Sequence, residues 1–340
     1  MNNLGLLLIF LIIFFFFKKI NYLNENTNYS THKNFGKSNK SPIVLGGIFL
    51  SIITVIFFSN DLIILKISLL LIYLLGFLSD KNILPNPKIR ILLQIFILLF
   101  LIIFSQLKII NLENYYLNIM LENELFNIFF TVFCLAILIN GSNFLDGLNG
   151  LLSGYYLLII LSIIYVGNNY NNINLIFENE LKILFFSLLI FFIFNVFGKV
   201  YLGDGGSYLI ATLIGYYLIK FSLSNSDVSP YYIAVLLWYP AFENLFSLAR
   251  RLLRKNKISS PDNEHLHQLV FLFIKSKNII KNNSLNSYTS MIILVINIPI
   301  FIVANSMINY SLVLMISIIL SMLMYLLIYY FISKNLKIKK

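Results

Sequence analysis

The residues best suited to chemistry in this chain are carboxylates set among glycines and amides. The run NGSNFLDGLNG, Asn140 to Gly150, lies between two apolar stretches and places Asp146 between Asn143 and Asn149. On a helix those three side chains share one face. An ionisable group at the mouth of an apolar bundle is costly, which makes it a functional candidate by default. A second carboxylate, Asp204, stands in GDGGS, Gly203 to Ser207, where another apolar stretch begins. Glycines there let the backbone approach a phosphate, the amides of a helix start favour anions, and the carboxylate offers magnesium a hard oxygen. An ordinary turn with an aspartate cap is the competing reading. Asp80 ends the segment GFLSD that starts at Gly76, and taken alone it reads as a solvated helix end.

Two histidines, His265 and His267, form HLHQ with Leu266 and Gln268. Their spacing would suit zinc, but the chain has three histidines and one cysteine, so zinc would need carboxylates from elsewhere. Phosphate contact by His and Arg fits better. The competing reading is a basic loop (Arg250, Arg251, Arg254, Lys255) leading into an amphipathic segment, Leu269 to Ile274, that lies on a membrane. Glu243 follows Pro240 near that basic end and reads as an ion-pair partner for Arg250 or Arg251.

The elements that must position these groups are apolar. Of 340 residues, 59% are hydrophobic and 11% charged, with a mean hydropathy of +0.84. That excludes a water-soluble domain of this length and indicates an all-α, polytopic transmembrane bundle, read as a single domain over 1–340. About eleven spans can be marked: Leu4–Phe17, Val44–Phe58, Leu62–Leu78, Ile89–Phe104, Phe126–Ile139, Leu151–Val166, Leu181–Phe197, Tyr208–Phe221, Tyr231–Leu248, Tyr288–Ala304 and Ser311–Ile332. Several fall short of the ~20 residues needed to cross ~30 Å, so their ends must run into flanking polar residues. Residues 249–287 form the long loop that carries the histidines. The Asn-rich stretch Asn168 to Asn174 reads as a solvated connector and a mark of compositional bias.

Lys18 and Lys19 follow the first span without a small-residue cleavage site, so it reads as a signal anchor with the N-terminus outside. Alternating spans then put 21 of the 25 basic residues on the inner side, and Asp61, Glu113, Glu122, Glu124, Glu178, Glu180 and Asp227 outside. The positive-inside rule therefore predicts a cytoplasmic C-terminus. Every chemically suggestive loop falls on that side: Lys37–Gly47, Gly76–Arg90, Asn140–Gly150, Gly198–Ser207 and Arg250–Leu269. The same rule accounts for the net charge of +11, so no nucleic-acid partner is expected. Cys134, the lone cysteine, lies in an apolar span, which excludes an intrachain disulfide and a cysteine metal cluster.

Five blocks taken in order resemble those of a known family: PIVLGG from Pro42, Asp80 ahead of the span holding Gln94, NFLDGLNGL from Asn143, GDGGS from Gly203, and the His265-Leu266-His267 motif. They are similar to the polyprenyl-phosphate N-acetylhexosamine-1-phosphate transferases, over roughly Lys37 to Gln268. That family includes initiators of O-antigen and teichoic-acid linkage synthesis and the peptidoglycan enzyme that loads phospho-MurNAc-pentapeptide. The resemblance implies that Asp204 binds Mg2+ (or Mn2+ in its place), that Asp80 and Asp146 lie in the catalytic centre, and that His265 and His267 contact the donor's phosphates or the site around them. Asn143, Asn149 and Asn195 match polar positions near the nucleotide, and Lys40 would help offset charge.

The implied reaction takes a UDP-N-acetylamino sugar and undecaprenyl phosphate in the lipid bilayer of the inner membrane and yields a polyprenyl diphosphate sugar and UMP, with a homodimer as a compatible assembly. A phosphate monoester has a second pKa near ~6, so the acceptor is mostly dianionic without a strong base, and Asp80 is expected to position groups, not to remove a proton. Three departures stand out. Ser79-Asp80 replaces a pair of adjacent acids, Asn149 a second acid, and Gln268 a third histidine. Gln268 favours the monosaccharide branches over the pentapeptide branch, which remains the alternative within the family. A multispan transporter is the alternative outside it, but its site should lie near the midplane between repeated halves, and here the polar blocks gather at one face without a repeat.

Overall fold

The computed structural model describes residues 3–20, 43–254, 264–278 and 282–336, so Lys40 and Pro42 lie outside the described residues. Thirteen α-helices and a two-residue strand pair make up these segments. In chain order they are α1 (Asn3–Ile20), β1 (Ile43–Val44), α2 (Gly46–Phe57), α3 (Ile63–Asp80), α4 (Pro87–Phe104), α5 (Tyr115–Glu122), α6 (Glu124–Leu145), α7 (Leu151–Asn169) and α8 (Glu178–Val196). They continue with β2 (Val200–Tyr201), α9 (Gly203–Ser224), α10 (Pro230–Leu253), α11 (Leu266–Ser276), α12 (Asn282–Ser306) and α13 (Ser311–Asn335).

All eleven apolar spans marked in the sequence appear as helices, and among the described residues nine helices are long and apolar enough to cross a membrane. The asparagine excess is put to use at their ends. Asn86 accepts from the Lys88 amide beside Pro87, Asn114 from Leu117 N and Asn123 from Phe126 N, each satisfying a donor that a helix start leaves open. Helix α2 has 12 residues, only about 18 Å of helix. It nevertheless runs alongside α9 over much of the bundle's depth: Gly47 abuts Gly206 at one end and the Phe58 ring lies 6.1 Å from that of Tyr217 at the other. Helices α5 and α11 were not marked as spans, and β1 pairs in parallel with β2 through Ile43–Val200 and Val44–Tyr201. This ladder ties the start of α2 to the start of α9.

Successive long helices alternate in direction, so their connections sort to two ends. One end carries the turns after α3, α6, α8 and α10. The other is stitched by Asn174 N to Asn225 Oδ1 at 2.6 Å, Tyr170 OH to Asn305 O at 2.8 Å and Ser229 N to Ile308 O at 3.0 Å. The Asn-rich connector is thus anchored at Asn174 and is not simply a solvated loop. Helix α9 is buried along nearly its whole length at the centre of the bundle. It crosses α3 where any Cβ on Gly76 would run into the backbone of Asp204 and Gly205. Small residues let two backbones approach this closely, a common device between helices in a membrane. The outward faces of α4 and α13 carry exposed Leu92, Phe96, Leu312, Leu320, Leu327 and Phe331, as a lipid-facing surface requires.

Candidate active site

The site begins where β2 turns into α9. Gly203 adopts φ +75°, and a Cβ there would lie 2.7 Å from Asp80 Oδ2 and 2.5 Å from Val44 Cγ1, so a glycine is needed both for the left-handed conformation and for space. The helix start it permits is capped from another element. Asp80, the last residue of α3, accepts the Asp204 amide on Oδ1 at 2.9 Å and the Gly205 amide on Oδ2 at 3.2 Å. Its carboxylate thus sits on the positive end of α9, where charge and open N–H donors both favour it.

Asp204 itself is 8% exposed. Its Oδ2 accepts from the Ser79 hydroxyl at 2.7 Å and from Arg90 Nη1 at 3.2 Å, and Arg90 also donates to Ser79 Oγ. The residue next to Asp80 therefore supplies a neutral hydroxyl, and the second charged partner is a guanidinium from the first turn of α4. Magnesium is commonly held by one or two carboxylates together with substrate phosphates and water. Asp204 fits such a role as a single carboxylate. Among the described residues no three His, Cys, Asp or Glu side chains gather as a metal-holding group, so most of the ligands would have to come from phosphate oxygens and solvent.

The end of α6 joins this half of the site to the other. Asn143 Oδ1 accepts from Ser207 Oγ of α9 at 3.2 Å. The neighbouring Phe144 ring packs 4.5 Å from His265, and His265 stacks in turn on His267 at 5.6 Å with the planes 8° apart. His267 Nε2 would be 2.9 Å from a Cβ on Gly147, so both imidazoles press on the NFLDGLNG turn. The helical face expected for Asn143, Asp146 and Asn149 is realised only in part. Helix α6 ends at Leu145 and Asp146, half-buried, is its C-cap residue; Asn149 lies in the turn that leads to Gly150 at φ +83°. The Asn149 amide donates to Asn286 Oδ1 of α12 at 2.6 Å. Asn195 holds the same turn from α8, accepting from Gly150 N at 2.7 Å and donating to Val200 O at 2.7 Å. Its side chain is thereby committed to backbone groups that join α7 to β2.

Glu243 departs from the expected pairing with Arg250 or Arg251. Its Oε1 lies 3.0 Å from His265 Nδ1 and accepts the Leu266 amide at 3.2 Å, so the side chain meets the start of α11 and not the basic end. Arg250 instead reaches Tyr329 OH at 2.7 Å and the carbonyl of Glu264, and Arg254 binds both Glu264 oxygens at 2.9 and 2.7 Å. Helix α11 also differs from the expected surface segment. It starts at Leu266, includes His267, and buries Leu266, His267, Gln268, Leu269 and Phe271 against the bundle. Gln268 Oε1 accepts the His265 amide at 3.3 Å, one half of a capping box, so this side chain shapes the helix start. Sequence reasoning gave no role to Arg90 or Glu264. One signal for Arg90 existed: the chain has four arginines among its 25 basic residues, and Arg90 is the one that stands apart from the 250–254 group.

Residues 62–222 match the family model described as glycosyl transferase family 4. That stretch holds Asp80, Arg90, Asn143, Asp146, Asn149, Asn195 and Asp204, and ends before Glu243 and the histidines. Over 143 residues the chain is 32% identical to the undecaprenyl-phosphate alpha-N-acetylglucosaminyl 1-phosphate transferase of Thermotoga maritima, an alignment covering 42% of each chain. Over 211 residues it is 28% identical to a probable undecaprenyl-phosphate N-acetylglucosaminyl 1-phosphate transferase of Bacillus subtilis, covering 60% of this chain and 56% of the relative. The chain thus matches about half the length of these curated relatives.

Proposed function

We propose that this chain, whose residues 62–222 match glycosyl transferase family 4, transfers an N-acetylhexosamine 1-phosphate from a UDP-sugar to undecaprenyl phosphate, releasing UMP. The observation that carries this reading is the meeting of two phosphate-compatible clusters on adjacent residues of α6: Asn143 touches the Asp204 helix start and Phe144 touches the imidazole pair. A nucleotide diphosphate spanning that junction would meet an acidic anchor on one side and His265 and His267 on the other. The end of the bundle that carries these groups is taken to face the cytoplasm at the inner membrane, where a UDP-sugar is available and where the basic residues of the chain concentrate.

In the reaction, an oxygen of the lipid phosphate forms a bond to the β-phosphorus of the UDP-sugar. The bond from that phosphorus to the bridging oxygen breaks, and UMP leaves with the electron pair. Both partners are anionic, so charge repulsion dominates the barrier. Mg2+ held by Asp204 would supply charge neutralisation on the diphosphate. Arg90, fixed by Ser79 and Asp204, keeps a guanidinium beside the helix start, where bidentate phosphate contact is geometrically favoured. Asp80 spends both oxygens on amides of α9, which suits it to hold the helix start in place and leaves the dianionic acceptor to attack without a base. Helices with apolar outer faces let the isoprenoid tail remain in the bilayer while its phosphate reaches this end.

The donor is proposed to be a UDP-N-acetylamino sugar of monosaccharide size, since Gln268 sits where a third imidazole would add charge and is occupied with the His265 amide. Purified chain in nanodiscs with undecaprenyl phosphate and UDP-GlcNAc, or a UDP-6-deoxy-N-acetylhexosamine, should release UMP in a divalent-ion-dependent manner. Efficient use of UDP-MurNAc-pentapeptide would move the chain to the peptidoglycan branch. Absence of UMP release from every nucleotide sugar would remove the transferase reading.

A further inference from the structure

Glu243 lies outside the stretch matched by the family, yet it is 1% exposed in the bundle. A carboxylate buried this way is costly unless its partners are well placed. One oxygen is shared by His265 Nδ1 and the Leu266 amide. The start of α11 does not need a charge for its own sake, since Gln268 already caps the His265 amide. What Glu243 adds is a second constraint on one ring. Stacking between Phe144 and His267 sets the plane of His265, and the bond to Glu243 sets its rotation within that plane. An ionised carboxylate only accepts, so the ring proton facing it resides on Nδ1.

We propose that Glu243 is a positioning residue for the transfer reaction: by accepting the hydrogen bond from Nδ1–H of His265 it turns the opposite ring nitrogen, Nε2, to the phosphates of the nucleotide sugar. The proposal rests on the transferase reading. An imidazole held at Nδ1 by a carboxylate keeps one orientation, and a fixed ring serves a transition state better than a rotating one.

Two variants separate this from a packing role. Glu243→Gln keeps a carbonyl oxygen that the Leu266 amide will orient toward His265. Glu243→Met keeps the bulk and removes the acceptor, and loss of a buried charge in favour of an apolar side chain is often neutral for stability. Ring-15N spectra of histidine-labelled full-length protein in nanodiscs, with the His265 signals identified by their loss in His265→Gln, should show a hydrogen-bonded Nδ1 proton in the wild type and in Glu243→Gln, and its loss in Glu243→Met. Turnover of the nucleotide sugar should fall about 100-fold in Glu243→Met at an unchanged melting temperature, and stay within about tenfold of wild type in Glu243→Gln. The KM for undecaprenyl phosphate should not move.

A wild-type His265 without a proton on Nδ1 overturns the proposal, as does a folded Glu243→Met with wild-type turnover. If Glu243→Met fails to fold, the wild-type spectrum and Glu243→Gln still decide. A wild type that shows the expected ring but turns over no nucleotide sugar defeats the transferase reading, and the catalytic half of this proposal with it.

Discussion

Asp80 and Asp204 lie on facing helices, and their hydrogen bonds divide the work between them. Asp80 caps two amides, so Asp80→Asn keeps one accepting oxygen and loses about 1–2 kcal/mol of helix-end stabilisation. Turnover in that variant should fall by no more than roughly 100-fold, whereas Asp204→Asn should lose about a thousandfold while remaining folded, the scale of one electrostatic group acting on a transition state. Equal, near-complete losses in both would assign Asp80 a proton-transfer role instead. Ser79→Asp tests the third member of the group. It places a second carboxylate against Arg90 and beside Asp204, so the Mg2+ concentration giving half-maximal activity should drop several-fold in a titration. An unchanged Mg2+ response would mean that the position does not touch the metal.

At the scale of elements, the chemistry depends on helix ends being fastened to one another. Asn195 joins α8, the start of α7 and β2 with hydrogen bonds to Gly150 N, Ser153 Oγ and Val200 O. Asn195→Ala leaves buried backbone groups without partners and should cost about 1–3 kcal/mol, read as a lower melting temperature in detergent. If activity disappeared at full stability, Asn195 would instead be a substrate contact. The pair Arg254–Glu264 and the contact of Arg250 with Tyr329 fasten the histidine segment to α10 and α13 in the same manner. None of these fastenings can be read from spacing, because their partners are 5 to 79 residues apart in sequence and meet only through packing.

For the whole molecule, the alternation of helices puts the described residues of the candidate loops at one end and the Asn174, Asn225 and Asn305 stitches at the other. A reporter fused after Lys340 is expected to behave as cytoplasmic and one inserted at Asn169 as external. The opposite result for either would reverse or break the alternation. On the opposite face the proposed site would have no access to a nucleotide sugar.

The sequence alone determined the class of the molecule and singled out its candidate blocks, because apolar composition and glycine-framed acids are local properties that each residue carries with it. The spans were legible for that reason, and so was the grouping of Asp80, Asp146 and Asp204 on one side. Only the tertiary structure decided the pairings. Glu243 turned to His265 and not to Arg250, Asp204 acquired Arg90 and Ser79, Asn149 left the helix face, and Asn195 became a fastening between helices. Each of these outcomes depends on where helix axes cross and where α6 stops, and a crossing is set by the fit of two surfaces distant in sequence.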